Sequence, residues 1–196
     1  WRSAAALCWE LGRDCPIDVP DPIVRTAWER RVNSPQSSAA GRLFDAASAI
    51  ILGVGETSFE GQGPMWLEAI ARDPAAFPRL ELRATAEGRL ELDWAPLVDW
   101  LLQAPPTTAA GRADCAGAVH ASLADGIVQV AERLRDQSGS SIVGLTGGVF
   151  QNRRLVEAAM AGLSSRGFDV LLPVQLPCND GGLSYGQVAD FVGRND

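Results

Sequence analysis

The sequence predicts an α/β protein that combines a β-hairpin with a layer of parallel strands and helices. In the second half of the chain, strand-like and helical segments alternate, which is typical of a parallel layer. Alternating apolar and polar residues flank Glu87-Gly88 and indicate a hairpin. Elsewhere in the first half, apolar residues recur at helical spacing.

The first half is predicted to be mainly helical. Short helices are expected over the first 35 residues, where Asp21 can cap a helix that begins at Pro22. Ser37-Ser38 is the predicted cap of a helix over 39–52, which Gly53 ends. The next elements are a glycine-rich loop (53–63), a short helix (64–72), the hairpin (80–85 with 89–94) and a short helix (96–103).

The second half begins after Pro105-Pro106-Thr107-Thr108, where a sub-division near 104–111 is possible. A long amphipathic helix is predicted from Arg112 to about Gln137. A buried strand and a second strand follow, each leading through a glycine turn into a helix. Their predicted ranges are 141–145 and 168–173 for the strands and 152–166 and 183–192 for the helices.

The composition excludes several kinds of chemistry. All 17 basic residues are Arg, and His120 is the only histidine. A Schiff-base lysine, a lysine-containing phosphate loop and a metal site with two histidines from this chain are therefore excluded. The net charge of −7 argues against nucleic-acid binding, and no apolar run predicts a membrane span.

The four cysteines, Cys8, Cys15, Cys115 and Cys178, are typical of reduced thiols in a cytoplasmic protein. A zinc site at the first two is a weak possibility, because no second pair of cysteines accompanies them. The chain opens on Trp1, without an initiator Met, so we expect it to be a piece of a longer protein.

Two glycine-containing junctions in the second half are candidate ligand sites. At Gly147-Gly148 the backbone can approach a ligand, and Asn152 can cap the next helix or contact that ligand. At the second junction, Asp180 follows a predicted parallel strand and can either bind a metal or cap a helix. Without further information, both junctions are also consistent with ordinary turns.

Other candidate residues have simple structural explanations. Arg42 precedes Asp45 by three residues, which predicts an ion pair on one helix face. The loop 59–63 holds one acid and one amide among its glycines and has no chemistry of its own. His120 lies among alanines and Val119, so we interpret it as a packing residue rather than a catalyst.

Taken in order, four segments resemble the HypF carbamoyltransferases, which are maturation factors for nickel–iron hydrogenases. They are SSAAGRLFDA (37–46), FEGQ (59–62), LTGGVFQN (145–152) and NDGGLSYGQ (179–187). The resemblance spans roughly residues 20–192. It implies that the whole chain, 1–196, is the C-terminal part of that family's Kae1-like domain. It implies one lobe of an actin/sugar-kinase/Hsp70-like fold.

The resemblance also implies a reaction. Another domain of such proteins makes carbamoyl-adenylate from carbamoyl phosphate and ATP. The Kae1-like domain transfers the carbamoyl group to the C-terminal cysteine thiol of HypE, where it is the precursor of the iron cyanide ligands. A divalent metal, zinc or iron, belongs to the complete domain. The partners expected are thus HypE and the remaining HypF domains.

The family's site residues are carried over by position. Asp45 matches a ribose contact, and Gly61 and Gln62 match a neighbouring contact loop. Gly147 and Gly148 match the glycine pair that faces phosphate or carbamoyl groups, and Asn152 matches a nucleotide contact. Asp180 matches a metal-ligand aspartate whose histidine partners lie outside this chain.

The sequence identifies no intrinsic catalytic residue, and we expect the chain alone to be inactive. One alternative is an O-carbamoyltransferase of antibiotic tailoring, and another is a nucleotide-binding scaffold without turnover. If a partner lobe is missing, an exposed apolar face should mark where it packs.

Overall fold

The computed structural model describes residues 1–194, which form two compact units, Trp1–Gly126 and a second that begins at Ile127. The first unit contains α1 (Arg2–Glu10), α2 (Ile23–Glu29), α3 (Ala40–Leu52), α4 (Gln62–Ile70), β1 (Glu81–Ala84), β2 (Leu90–Asp93) and α5 (Ala95–Gln103). The long helix α6 (Ala109–Ser138) contributes to both units. The second unit also contains β3 (Ile142–Gly144), α7 (Arg153–Ser164), β4 (Asp169–Leu171) and α8 (Leu183–Gly193).

Helix α3 is the centre of the first unit and packs on α1, α4 and α5. Small side chains allow the close approach, since Ala4 and Ala5 of α1 and Ala46 of α3 are fully buried. As predicted, α3 ends where Gly53 adopts the left-handed conformation (φ 70°), which suits glycine because it has no Cβ. The predicted serine cap is wrong in detail. The N-cap residue is Ala39, whose N–H donates to the Ser37 hydroxyl.

The predicted hairpin is present as the antiparallel pair β1–β2, and Gly88 is left-handed (φ 78°) in its turn. The hairpin packs against α6 at Gly126, where a Cβ would lie 2.7 Å from the Leu92 side chain. On the same helix, His120 is buried and contacts the ring of Phe44, with 5.1 Å between ring centroids. Glycine at position 126 therefore lets the hairpin cover the apolar face of α6.

The second unit contains the predicted parallel pair, with β3 beside β4 and α7 between them in the chain. The apolar face of α7 is fully or almost fully buried at Leu155, Ala159 and Leu163. Glycine is required at position 162, because a Cβ would lie 2.8 Å from Val128. The strands are shorter than predicted, although flanking residues still pair: the Leu145 N–H donates to the Leu171 carbonyl (3.0 Å) and the Asp169 N–H to the Ser141 carbonyl (2.8 Å). The predicted burial of the first strand is wrong, because only Val143 of β3 is half-buried and its two neighbours are exposed.

Two other boundaries differ from the predictions for local reasons. Helix α4 begins at Gln62 rather than Pro64, because the left-handed Gly61 (φ 80°) turns the chain into the helix. Helix α6 begins at Ala109, where the Thr108 hydroxyl accepts a hydrogen bond from the Gly111 N–H. The region 104–111 thus leads into α6 within the first unit, and the division between units falls at Gly126.

Candidate functional site

The Asp45 carboxylate lies on the first half of α3 and is partly exposed. The predicted ion pair is present, with 3.1 Å between Arg42 Nη1 and Asp45 Oδ2. The side chain of Asp45 is 34% exposed, so one edge of the carboxylate is open to a ligand. Arg42 fixes its rotamer but does not bury it.

The Gly61-Gln62 loop leads into α4, which packs on α3. The Ser58 N–H donates to Gln62 Oε1 (2.7 Å), which closes the loop on itself. The next residue, Gly63, packs so closely on α3 that a Cβ there would lie 2.2 Å from Ser48 Oγ. Because the Ser48 hydroxyl donates to the Asp45 carbonyl (2.8 Å), Ser48 connects the loop to Asp45.

Ser48 is thus a positioning residue that the sequence alone does not reveal. It is 5% exposed and belongs to a helix otherwise rich in alanine and isoleucine. A small polar residue in such a helix, together with a glycine at the start of the next helix, could have indicated that the two helices pack closely at this point. Neither residue belongs to a catalytic or ligand-binding motif.

In the second unit, the two glycine junctions meet at the carboxyl ends of β3 and β4. The Gly147 N–H donates to the Cys178 carbonyl (2.6 Å), and the Thr146 hydroxyl donates to the same oxygen (3.3 Å). A Cβ on Gly148 would lie 4.0 Å from Asn179 Cβ, an ordinary contact. Ligand crevices of open α/β sheets lie at this edge of a parallel pair.

Asp180 is on the second junction. The sequence allowed Asp180 to cap a helix, but the preceding residue, Asn179, is the cap. The Asn179 side chain accepts from the Gly181 N–H (3.0 Å) and caps the short helical turn Asp180–Gly182. The prediction that Asp180 caps a helix is therefore wrong. Its side chain is exposed, and its carboxylate forms no hydrogen bond or ion pair with residues 1–194.

Asn152 is buried at the N-terminus of α7, just after a helical turn over Gly148–Gln151. Its side-chain oxygen accepts from the Leu155 N–H (2.9 Å), so the capping function that the sequence allowed is present. The side chain is 8% exposed. It lies on the same junction as Gly147 and Gly148, which is where the ligand function was predicted.

His120 has the packing function predicted for it. The ring is 1% exposed, and its Nδ1 lies 2.7 Å from the Ala116 carbonyl, which accepts a hydrogen bond from it. Within residues 1–194, no three His, Cys, Asp or Glu side chains are grouped to hold a metal ion. No helix in that range is both long and apolar enough to span a membrane.

The candidate residues thus form two sets, each within one unit. The first unit brings together Asp45, Gly61 and Gln62 through Ser48. The second unit places Gly147, Gly148, Asn152 and Asp180 at one edge of its parallel strands. Backbone N–H groups, one capping amide and two partly or fully exposed carboxylates are the chemistry that this chain offers.

Comparisons with known proteins show what this chain is similar to. Residues 1–187 match the family described as "Carbamoyltransferase, Kae1-like Domain, second subdomain". Carbamoyltransferase HypF of Rhodobacter capsulatus is 39% identical over 195 residues, which is 95% of this chain and 24% of that protein. A HypF homolog of Cupriavidus necator is 35% identical over 201 residues, with 95% and 51% covered.

Solved structures agree on the fold. Full-length HypF, crystallised in a phosphate- and nucleotide-bound form, superposes with a TM-score of 0.74 at 29% identity, over 84% of this chain and 22% of that one. HypF of T. kodakarensis gives 0.70 at 23% identity, over 85% and 21%. The predicted fold class, one lobe of a Kae1-like fold, is confirmed. The chain spans about a quarter to half of the length of the two relatives above.

Proposed function

This chain belongs to the HypF carbamoyltransferase family, and from that premise we propose that it supplies part of a carbamoyl-transfer site. In the proposal, the substrate is carbamoyl-adenylate, formed from carbamoyl phosphate and ATP in another part of the polypeptide. The acceptor is the C-terminal cysteine thiol of HypE. The product thiocarbamate is the precursor of the iron cyanide ligands of nickel–iron hydrogenase.

The meeting of the two glycine junctions is the observation that carries this proposal. The hydrogen bond from Gly147 N–H to the Cys178 carbonyl connects the end of β3 to the end of β4. Such an edge suits an anionic ligand, because helix N-termini direct N–H groups toward it and glycines let it approach the backbone. The nucleotide in the related HypF crystal structure supports a nucleotide as that ligand.

The residues of the second unit have distinct proposed roles. Gly147 and Gly148 face the phosphate or carbamoyl group. Because the Gly147 N–H is bonded to the Cys178 carbonyl, the Gly148 N–H is the backbone donor proposed to stabilise the oxyanion that develops during transfer. Asn152 holds the first turn of α7 in place and contacts the nucleotide from the same junction. The nucleophile is the thiol of the acceptor, so this chain needs no Ser–His or Cys–His pair.

The first unit is proposed to bind the ribose. A carboxylate accepts hydrogen bonds from the two ribose hydroxyls, and the exposed edge of Asp45 is suited to this. Gly61 and Gln62 form the neighbouring contact, and Ser48 holds both in register. Arg42 keeps the carboxylate oriented for the two hydroxyls.

The described residues do not by themselves fit a divalent metal. Asp180 supplies one exposed carboxylate, and residues 1–194 hold no cluster of three ligands. In the proposal, Asp180 is one ligand of a zinc or iron site that is completed by histidines elsewhere in the polypeptide. The isolated chain is then expected to be inactive and to bind these metals weakly.

Two further elements belong to the proposal. The remaining HypF domains and HypE are the partners, and the reaction takes place in the cytoplasm. The relatives are named HypF, which favours thiol transfer over the O-carbamoyl transfer of antibiotic tailoring. A scaffold without turnover differs by binding nucleotide but giving no carbamoyl transfer when HypE is supplied.

The substitution Gly148→Ala tests the proposal in the full-length polypeptide. The added methyl meets only Asn179 Cβ at 4.0 Å and needs no unusual backbone angle, so the fold accepts it. A ligand in contact with the backbone of Gly148 would collide with the added methyl group. We expect affinity for an ATP analogue to fall about tenfold or more, corresponding to about 1.4 kcal/mol, by calorimetry.

Ser164→Ala is the control, because this residue is exposed at the opposite end of α7 from Asn152. It should leave nucleotide affinity and carbamoyl transfer unchanged. If Gly148→Ala also left both unchanged while the protein folded normally, the assignment of this junction would be wrong.

A further inference from the structure

The second glycine junction contains a dipeptide that is chemically labile in proteins. In an Asp-Gly pair, the backbone nitrogen of the glycine can attack the aspartate side chain, because glycine has no Cβ to hinder the approach. The sequence holds two such pairs, Asp125-Gly126 and Asp180-Gly181, and no Asn-Gly pair. The structure places the two pairs in different surroundings.

Asp125-Gly126 lies in the interior of α6. The hydrogen-bond ladder of the helix binds the Gly126 N–H. The Asp125 carboxylate pairs with Arg79, with 3.3 Å between Arg79 Nε and Asp125 Oδ2, and its side chain is 21% exposed. The long helix therefore protects this pair from rearrangement.

Asp180-Gly181 has no long helix around it. Both residues are exposed, and they belong to the three-residue helical turn Asp180–Gly182. One side chain takes the place of a helix ladder, because the Gly181 N–H donates to the Asn179 side-chain oxygen (3.0 Å). The Gly182 N–H donates to the Asn179 carbonyl (3.0 Å). Asn179 thus occupies the attacking nitrogen and fixes the turn around it.

The turn also keeps the reacting atoms apart. The five-membered ring formed by the attack is nearly planar, so the Gly181 nitrogen has to eclipse Asp180 Cβ. A 3₁₀ turn such as Asp180–Gly182 has ψ of roughly −20 to −30°, at which these two atoms are not eclipsed. The hydrogen bond from Gly181 to Asn179 must therefore break before the ring can close.

Packing explains why glycines follow Asp180. A Cβ on Gly182 would lie 2.8 Å from the Pro177 carbonyl oxygen. A Cβ on Gly181 would lie 3.1 Å from Asn179 Oδ1 and 3.2 Å from Pro177 Cγ. The close return of the chain onto Pro177 thus places an exposed aspartate next to the residue type that most favours its rearrangement.

We propose that Asp180 is a site of isoaspartate formation and that Asn179 restrains the reaction. The proposal rests on the exposed Asp-Gly pair and on the hydrogen bond that occupies its nitrogen. It does not depend on carbamoyl transfer. Asn179 then has a chemical function in addition to its capping of the turn.

The rearrangement proceeds in two balanced steps. The Gly181 nitrogen attacks Asp180 Cγ, so an N–Cγ bond forms, one Cγ–O bond breaks, and that oxygen leaves as water with the carboxyl proton and the amide proton. Water then opens the resulting succinimide at one of its two carbonyls. Cleavage of the N–Cγ bond restores aspartate. Cleavage of the bond from nitrogen to the backbone carbonyl carbon gives isoaspartate, without a change of mass.

Isoaspartate changes the junction because its backbone runs through Cγ and is one atom longer. The carboxylate of Asp180 moves onto Cα, and the turn has no room to shift toward Pro177. The longer chain therefore displaces the turn near Gly148. On the proposed function, nucleotide affinity of the full-length polypeptide should fall in proportion to the fraction of isoaspartate.

Peptide mapping of the aged full-length polypeptide tests the proposal, with a chelator present so that no metal ion occupies Asp180. Trypsin places Asp125 in residues 113–133 and Asp180 in residues 167–194. Electron-transfer fragmentation and labelling by a protein-isoaspartate methyltransferase identify isoaspartate in each peptide. In denaturant, isoaspartate should form at both positions. In the native protein it should be undetectable at Asp125, and at Asp180 it should form about fivefold or more slowly than in denaturant.

Two substitutions at Asn179 isolate the hydrogen bond. Asn179→Ala removes the acceptor of the Gly181 N–H, so isoaspartate at Asp180 should form about fivefold faster or more. Asn179→Asp keeps an acceptor and should react at nearly the rate of the unsubstituted protein. Asp125 is the internal control in every sample, because isoaspartate there would reveal general unfolding.

The proposal is overturned if Asp180 isomerises as fast in the native protein as in denaturant. It is also overturned if folded Asn179→Ala forms isoaspartate no faster than Asn179→Asp. Because the first comparison uses only the unsubstituted protein, a variant that misfolds leaves the test intact. Neither comparison measures nucleotide binding, so a failure of the proposed function is detected separately with Gly148→Ala.

Discussion

At the scale of single residues, Asn152 combines a stabilising contact with a proposed ligand contact. Its side-chain oxygen caps α7 by accepting from Leu155 N–H, and the residue is buried at the glycine junction. An alanine there removes the cap and the amide together, so its effect on activity alone cannot be interpreted. An aspartate keeps the acceptor and suits the helix N-terminus but lacks the amide N–H donors.

We therefore predict different outcomes for two substitutions in the full-length enzyme. Asn152→Ala should lower the free energy of unfolding by about 1 kcal/mol through loss of the cap. Asn152→Asp should lower it by less but still weaken nucleotide binding about fivefold or more, because a donor to the ligand is lost. Denaturant unfolding and calorimetry check both. Nucleotide binding by Asn152→Asp at the unsubstituted level would contradict the ligand contact.

The exposed pair Arg72–Asp114 predicts a local pH dependence. The hydrogen bond and charge of Arg72 lower the pKa of the Asp114 carboxyl below its ordinary value. The pair thus stabilises the fold fully above the ordinary aspartate pKa of about 3.9, and its contribution is lost as the pH falls through the lowered value.

Asp114→Asn should therefore reduce stability at neutral pH, and the gap between the two proteins should narrow at about pH 3, below the ordinary aspartate pKa of about 3.9. Unfolding curves of the two proteins at both pH values check this. An equal gap between them at the two pH values would show that the ion pair is not its cause.

Residue-scale predictions from the sequence succeed where the interaction is local. The spacing of Arg42 and Asp45 predicted their ion pair, and the position of Asn152 predicted its cap. The choice between Asp180 and Asn179 as cap depended on backbone angles that the sequence does not specify.

At the scale of elements, the packing of α4 on α3 positions the first set of site residues. Gly63 makes this possible, because any side chain there meets Ser48. The sequence predicted both helices, but it could not show which faces meet. Hydrophobic periodicity identifies a buried face without identifying its partner.

Gly63→Ala should therefore destabilise the protein by about 1–3 kcal/mol through overpacking and weaken nucleotide binding by displacing Gly61 and Gln62. Adding Ser48→Gly should restore part of the stability, since it removes the atoms nearest to the new methyl. The control Ser164→Ala, at an exposed position of α7, should be neutral or stabilising by up to about 1 kcal/mol. A Gly63→Ala protein as stable as the original would show that the helices are not in close contact.

Strand lengths were the least accurate element predictions. The apolar runs extend beyond β3 and β4, because Leu145 and Phe168 are buried without belonging to the strands. The paired strand residues themselves are exposed or half-buried, so burial did not mark the strands in this layer. The glycine junctions begin at these edges, so the sequence located the site better than it located the strand ends.

At the scale of the whole molecule, the surface of α8 is unusually apolar. None of its residues is buried, and Leu183, Tyr185, Val188 and Phe191 are each at least 60% exposed. An exposed apolar face was expected from the sequence if a partner lobe is missing. The matched family describes a second subdomain, and we expect the rest of such a polypeptide to cover α8.

The exposed apolar surface of α8 predicts how the isolated chain associates. The isolated chain should self-associate or bind a hydrophobic dye, and Val188→Ser should reduce both, as measured by light scattering and fluorescence. In the full-length enzyme the same substitution should instead lower stability, because the position becomes buried. A monomeric chain that binds no dye would contradict the idea that α8 is an interface.

The central claim is that this chain supplies the nucleotide and carbamoyl contacts of a HypF-type carbamoyltransferase. The most direct test is a crystal structure of the full-length polypeptide with a non-hydrolysable ATP analogue. The account predicts phosphate density beside Gly147 and Gly148 and ribose density beside Asp45. Nucleotide bound only in another domain, with these three residues in contact with solvent, would contradict it.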